Sequence, residues 1–335
     1  MNITQEVQQD KWQAYAESHS QGSIFHTPYM FDVYRSLAGH IPFALFALDD
    51  SGQIQGLLTG FRQIIHGGLL KQLSTRAVLM QSPIVSSSEA LDALLTSYAE
   101  MINGKAVYTE IRNHADTCMQ RDIYHNQGFT LEDHLNIIVD LSLAETELWS
   151  QVHSKRRNEI RSAQKQGVEV RRLGEDSLPE AYAILQEVYS RARLPLSPFG
   201  FFVTAFKDAN PAMGLRAYGA FHRQRLIGTM FTLEFKNTVI DLYAGSLAEF
   251  YSLHPNDIIP WEVFRICKEN GFQVFDFGGA GVPGKPYGVR DYKKKFGGAM
   301  VNFGRYELIH SRLKYQLAEI GFKLAQKTGL YASKA

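Results

Sequence analysis

The sequence predicts an α+β fold made of two similar halves, each a mixed, mostly antiparallel sheet flanked by helices. Three observations carry that prediction. First, "FALFALDDSGQIQGLLTGF" (residues 43–61) and "LRAYGAFHRQRLIGTMFTLEF" (residues 215–235) share one plan. Each has an alternating strand, a polar turn and a second strand reading I-Q-G-L-L-T or L-I-G-T-M-F-T, the pattern of a hairpin. Second, helical segments precede both hairpins, and about half the chain separates them. Third, 335 residues with 45% hydrophobic and 21% charged content are long for one core and comfortable for two. The glycine inside each second strand, Gly56 and Gly228, predicts a bulge or a close backbone approach.

The halves divide at residues 141/142, giving an N-terminal domain of residues 1–141, a C-terminal domain of residues 142–310 and a terminal helix of residues 311–335. Ser142 and Glu145 have the spacing of a capping box. Leu148, Val152, Ile160 and Ala163 fall near one face of a helix running through residues 149–166, with Gly167 as its left-handed stop. "VEVRRL" then begins a strand, and "LPEAYAILQEVYSRA" and "PFGFFVTAFKDA" read as helices. A strand series from Leu215 to Ala244 follows. "PNDIIPWEVFRICKENG" is a helix capped by Asn256 or Asp257, with Pro260 in its first turn and Gly271 as its stop. "FQVFDF" is a buried strand. In the tail, Leu313, Leu317, Ile320 and Leu324 recur at helical spacing beside Arg312, Lys314, Lys323 and Lys327. Packing on the body is the first reading of that helix, and peripheral contact with anionic lipid the second.

Composition excludes several function classes. Lys+Arg 35 against Asp+Glu 34 leaves a formal charge of +1, so any phosphate or nucleic-acid contact comes from local clusters. Cys118 and Cys267 lack CxxC spacing, and the eleven histidines show no HxxxH or HExxH pattern, so no metal is expected. Isolated cysteines point to a reducing compartment. The N-terminus has no signal-peptide pattern. No apolar run reaches the ~20 residues needed to span a bilayer. The expected location is cytoplasmic, with the inner face of the membrane as its variant.

Two basic clusters stand out. Arg157, Arg161 and Lys165 recur every fourth residue and, with Lys155, form a stripe whose like charges repel. A solvated face is one reading, and phosphate or tRNA contact is the other. The second cluster is "FDFGGAGVPGKPYGVRDYKKKFGG" (residues 275–298). Gly278, Gly279, Gly281, Gly284 and Gly288 permit positive φ and close approach of backbone N–H groups to a ligand. The loop is neither a P-loop nor a dinucleotide fingerprint. Arg290, Lys293, Lys294 and Lys295 follow. In extended geometry Lys293 and Lys295 would share one side, and Tyr292, Lys294 and Phe296 the other.

Taken together, these stretches resemble the Fem-type aminoacyltransferases (FemA, FemB and FemX), within the wider GNAT-like acyltransferases. "SIFHTPYMFDVYRSLAG" is similar to the family's first helix, although His26-Thr27 stands where Gln-Ser is usual. "MQSPIV" is similar to the stretch after its early strands. "SKRRNEIRSAQKQGVEV" resembles its basic helix. "NDIIPWEVFRICKENGFQVFDFGG" followed by "YKKKFGG" resembles its closing helix, D-F-G-G strand and F-K-x-x-F-G. The resemblance implies two tandem GNAT-like domains, here without the coiled-coil arm of some members. It implies transfer of an aminoacyl group from charged tRNA to an amine of an anionic cell-envelope precursor, nucleotide-sugar or lipid-linked. The family lysine that stabilises the tetrahedral intermediate matches Lys293, with Tyr292 at the preceding aromatic. A phosphate-binding position in the first helix matches Arg35, and a second falls at Arg191 or Arg193.

The residues supply a mechanism. A lysine ammonium or a backbone N–H aimed at the developing oxyanion typically contributes ~10²–10³ in rate; Lys293 and the Gly278–Gly281 turn are the candidates. Gly278, Gly279, Arg290 and Lys295 are expected to bind substrate. Asp276 is the candidate general base, with a structural hydrogen-bonding role as its alternative. No Ser-His-Asp or Cys-His set supports a covalent acyl-enzyme. GNAT enzymes that use acetyl-CoA carry [Q/R]-x-x-G-x-[G/A] after the fourth strand, a nest for pyrophosphate. Here that place reads "SLAEFYSLHPNDII". Aminoacyl-tRNA is therefore the expected co-substrate, and no cofactor is expected. The alternatives are an acyl-CoA N-acyltransferase acting on an amino sugar in surface-polysaccharide synthesis, and a non-catalytic binder of an anionic envelope intermediate.

Overall fold

The computed structural model describes residues 1–65, 71–318 and 320. Two compact units emerge: unit 1 comprises Met1–Asp133 and the described residues from Phe303 onward, and unit 2 comprises His134–Asn302. Unit 1 begins with β1 (Asn2–Thr4), α1 (Gln9–Ser18), α2 (Pro28–Arg35), β2 (His40–Leu48), β3 (Ile54–Ile64), α3 (Lys71–Ser74) and β4 (Thr75–Leu79). It continues with β5 (Ile84–Val85), α4 (Ser88–Ile102), β6 (Tyr108–Arg112), α5 (Arg121–Asn126) and β7 (Thr130–Glu132). Unit 2 holds β8 (Leu135–Asp140), α6 (Glu145–Gln151), α7 (Ser154–Lys165), β9 (Val168–Arg172), α8 (Leu178–Ala192) and α9 (Phe199–Lys207). After these come β10 (Met213–His222), β11 (Arg225–Phe235), β12 (Thr238–Ser246), α10 (Pro255–Glu269), β13 (Val274–Gly279), α11 (Gly288–Lys293) and β14 (Ala299–Asn302). The last strand, β15 (Arg305–Ile309), belongs to unit 1.

The sheet of unit 1 runs β1-β2-β3-β4-β6-β15-β7, with β5 also on β3, and that of unit 2 runs β14-β8-β13-β12-β11-β10-β9. Each has one parallel pair among the described strands, β4 with β6 and β12 with β13. The predicted repeat extends to the register. Gly56 pairs with Ala47 and Gly228 with Ala220, and in both hairpins the register shifts at the next residue of the first strand. A helix packs tightly on each glycine: a Cβ on Gly56 would lie 2.8 Å from Leu94 of α4, and one on Gly228 3.0 Å from Ile259 of α10.

The boundary differs from the expected 141/142. Residues 135–140 form β8, which pairs with β13 and β14 of unit 2, whereas β15 pairs with β6 and β7 of unit 1. Alternating apolar residues announce a strand but not its partner. The helix expected over residues 149–166 is two helices, α6 and α7, broken at Val152–His153. Its capping contact also shifts by two residues: the Ala144 N–H donates to Glu147, and Ser142 is instead held by Asp140. Gly167 and Gly271 stop their helices at φ +75° and +85° as expected. The tail is helical over residues 312–318, where Leu313 and Leu317 are exposed, as is Ile320; Lys323, Leu324 and Lys327 lie outside the described residues.

The core of unit 2 sits where α7 and α10 cover the sheet. Phe264, Phe275, Phe277 and Phe296 are buried there, all edge to face except the tilted Phe277–Phe296 pair, at centroid separations from 4.8 to 6.4 Å. Phe296 thus anchors the KKKF segment to the strand carrying Phe275 and Phe277. In unit 1, α4 buries Leu91, Leu94, Leu95, Tyr98 and Ile102, and Tyr124 stacks on Tyr306 of β15 at 4.0 Å.

Candidate active site

The site is built where the parallel ladder between β12 and β13 stops, after the pair Ile240–Asp276. On its other side β13 shifts register against β8 between Asp276 and Gly279. Gly278 makes that bulge at φ +69°, a conformation that costs an L-residue roughly 1–2 kcal/mol. Asp276 clamps it. Its carboxylate accepts the Gly278 N–H at 2.6 Å and the Asn136 side-chain N–H at 3.2 Å, all buried. Asp276 thus has the hydrogen-bonding partners that the structural alternative calls for. The Gly278 N–H is likewise spent on Asp276, and that of Ala280 on the Leu135 carbonyl, so neither is free for an oxyanion. Gly281 and Gly284 also take positive φ, whereas Gly279 and Gly288 are outside the left-handed region.

The KKKF segment is helical rather than extended: α11 ends at Lys293, and Lys294–Phe296 forms one 3-10 turn. The expected pairing of Lys293 with Lys295 on one side of a strand is therefore corrected. A six-residue helix carries too little periodicity to be read from a charge run. The Lys293 ammonium donates to the carbonyl of Phe277 and, at 3.4 Å, to that of Gly279. An ammonium has three donors, and the third has no partner among the described residues.

Tyr292, the neighbour of this lysine, is itself fastened to α10. Pro260 lies inside α10, not in its first turn as expected, and lacks the N–H that would bond the carbonyl of Asn256. The Tyr292 hydroxyl donates to that carbonyl instead. Its ring lies under the Arg156 guanidinium, 4.8 Å from the centroid, and burial pushes its acidity further from the physiological range. Arg156 in turn pairs with Asp257 in the first turn of α10. That helix starts from His254 in left-handed conformation, followed by Pro255, so neither Asn256 nor Asp257 is the cap.

Two residues of the site were not anticipated. Asp241, on β12 immediately after the last parallel pair, is partly buried; desolvation, with the Asp276 carboxylate adding to it, raises its pKa to about 6 against the pull of Lys293. Tyr189 of α8 lies close enough for Asp241 to raise its pKa as well, after burial. The available signal was an aspartate in "TVIDLYAG", since aspartate is depleted in strand interiors.

The other predicted residues are dispersed. Arg290 stitches the glycine loop, donating to the carbonyls of Ala280, Val282 and Lys285. The Lys295 carbonyl accepts the His153 N–H at 2.9 Å, docking the 3-10 turn into the break between α6 and α7. Arg157 donates to the carbonyls of Trp149 and Ser150, and Arg161 lies over the Trp149 ring at 5.3 Å. Half of the basic stripe thus fastens α6, while Lys155 and Lys165 face solvent. Arg191 bonds Tyr251 and Glu187, and Arg193 is the exposed left-handed cap of α8. Arg35, in unit 1, is exposed and paired with Asp32 at 2.8 Å. No cluster of metal-binding side chains occurs among the described residues, and burial pushes the Cys267 thiol up to about 12.

Residues 151–294 match the model of a family described as an acetyltransferase (GNAT) domain. A crystal structure of FemX superposes with a TM-score of 0.76, at 15% identity over 95% of this chain and 99% of that one. The chain has a FemX-like tandem GNAT fold. The same fold occurs in L-PGS from Bacillus licheniformis, with a TM-score of 0.60 at 12% identity over 98% of this chain and 99% of that one. A tandem GNAT protein from the clavulanic acid biosynthesis pathway gives 0.54, at 11% identity over 90% and 94%. A comparison with curated protein sequences found no match. No helix among the described residues is long and apolar enough to cross a membrane.

Proposed function

We propose that this FemX-like chain forms amides, transferring an aminoacyl group from charged tRNA to an amine of an anionic cell-envelope precursor. The observation that carries the reading is the Lys293 ammonium, fixed by two carbonyl oxygens at the end of the β12–β13 ladder, its third N–H without a partner among the described residues. A donor already locked in place needs little reorganisation when an oxyanion develops beside it. The start of α10 supports tRNA over CoA. A pyrophosphate nest needs free N–H groups and positive potential at a helix N-terminus, whereas this one has Pro255, which lacks an N–H, and the Asp257 carboxylate held by Arg156. A structural neighbour described as the C-terminal domain of a putative lysylphosphatidylglycerol synthetase from Agrobacterium fabrum, with a TM-score of 0.60 at 11% identity, fits an aminoacyl donor and an envelope acceptor. Lys155 and Lys165, with the exposed Arg161, are the candidates for tRNA phosphates; Arg35, Arg191 and Arg193 are those for acceptor phosphates.

The matched domain's description as an acetyltransferase favours a second reading, acyl-CoA-dependent N-acylation of an amino sugar. The deciding assay measures amide formation from mixed charged tRNA with and without ribonuclease, and from acyl-CoA. Ribonuclease-sensitive turnover is expected; ribonuclease-insensitive turnover that tracks acyl-CoA selects the second reading. Lys293→Ala should lower kcat by ~10²–10³. Two carbonyls would lose their donor, so unfolding stability should also fall by about 1–2 kcal/mol. Undiminished transfer by this variant removes Lys293 from its role.

A further inference from the structure

We propose that Asp241 is the general base of this site, taking the proton of the attacking amine; the proposal rests on the acyl-transfer reading above. Asp276 is consumed by Asn136 and Gly278, whereas no hydrogen bond or ion pair to the Asp241 side chain occurs among the described residues. The strand itself sets Asp241 apart. It is one residue beyond the last β12–β13 pair, and β12 bulges at the next position, with Asp241 opposite Thr232 and Tyr243 opposite Phe231. Bulges of this kind re-aim side chains beside functional sites.

Lys293 and Asp241 are electrostatic neighbours without being joined. The ammonium spends two donors on Phe277 and Gly279, and no ion pair with Asp241 closes the gap. A lysine placed only to neutralise the aspartate would bridge it. Here, among the described residues, the carboxylate and the third ammonium N–H are both without a hydrogen-bond or ion-pair partner. The charged and titratable groups around Asp241 are Lys293 and Tyr292 on α11, Asp276 on β13 and Tyr189 on α8. Tyr292 and Tyr189 both have raised pKa values and stay neutral, and an acid pushed to about 6 is ionised at neutral pH yet basic enough to accept a proton.

In the step, the amine nitrogen attacks the ester carbonyl carbon and the C–N bond forms. The carbonyl π electrons move to oxygen, where the third N–H of Lys293 holds them. The proton on the now cationic nitrogen passes to the Asp241 carboxylate. The oxyanion then collapses, the C–O bond to the donor breaks, and the departing alkoxide takes the proton back from Asp241. Amide and free hydroxyl leave, and the carboxylate is restored.

The test measures kcat and KM against pH for the wild type, Asp241→Asn and Asp241→Glu with mixed charged tRNA, using ethylamine, glycinamide and trifluoroethylamine as acceptors of graded basicity. The wild type should show an acid limb near pH 6 that stays in place as the amine is changed. Asp241→Asn should lose ~10²–10⁴ in kcat and that limb, with KM little altered, and Asp241→Glu should recover part of the rate. An acid limb that moves with the basicity of the amine overturns the proposal without recourse to any variant. So does an Asp241→Asn protein with wild-type kcat and limb. Absence of amide product from the wild type with charged tRNA and acyl-CoA alike overturns the acyl-transfer reading itself, and the base with it.

Discussion

His26 in unit 1 should make the protein acid-sensitive by an amount the structure allows to be worked out. The ring is fully buried. Its Nε2–H donates to the Ser82 carbonyl at 2.9 Å, and its Nδ1 accepts the Ser23 N–H at 3.2 Å. A second ring proton would confront the Ser23 donor in a site without water-like solvation, and burial is the main reason its pKa is lowered to about 4. In the unfolded chain the same ring titrates at its ordinary 6.5. Between those values the unfolded state binds the extra proton, so this stabilisation is complete above pH 6.5 and is lost as pH falls towards 4. At ~1.36 kcal/mol per pH unit the full loss is about 3.4 kcal/mol, of which about 2.5 kcal/mol is reached by pH 4.5. The assay is urea unfolding of the wild type and His26→Gln at pH 7.0 and 4.5. Glutamine offers a donor and an acceptor but no titration, so its stability should fall by about 2.5 kcal/mol less between the two pH values. Equal falls for the two proteins would refute the assignment of a buried neutral imidazole.

Two further substitutions probe the scaffold of the site. Tyr292→Phe leaves the Asn256 carbonyl without the hydroxyl and, because residue 260 is proline, without a helical N–H. Denaturation should show a loss of about 1–3 kcal/mol, and the transfer rate should fall less than in Lys293→Ala; unchanged stability would mean that the hydroxyl does not serve that carbonyl. Gly278→Ala should cost roughly 1–2 kcal/mol from its left-handed backbone rather than from a clash, since the added Cβ would have 3.7 Å to the Asp241 carbonyl. Gly278→Asn should lose less, and equal losses in a melting comparison would point to sterics instead.

The sequence made the fold legible where side-chain periodicity decides it. The hairpins, the glycine stops at Gly167 and Gly271 and the helix at Leu178–Ala192 all follow from local pattern and backbone chemistry. The strand partners of β8 and β15 did not, because alternation fixes which face is buried and says nothing about which sheet receives it. At the site, Lys293 could be picked out by its place beside an aromatic and ahead of Phe296-Gly297. The roles of the two aspartates could not be separated by spacing alone. Asp276 captures the N–H of a bulge, and Asp241 falls one residue beyond the end of a neighbouring ladder; both facts depend on strand register. The basic stripe misled in part because carbonyl oxygens and an indole ring, which carry no formal charge, are what Arg157 and Arg161 meet.

Strand membership has a practical consequence for dissecting the protein. A fragment cut to residues 151–294, or to the half beginning at residue 142, would be missing the ribbon between β13 and β14. Stripped of Leu135–Asp140, the strand bearing Asp276 would present an unpaired, phenylalanine-rich margin to other copies, an invitation to aggregate. The buried aspartate would also lose the amide of Asn136. A fragment of unit 2, if one is to be excised, has to include His134 and run through Asn302.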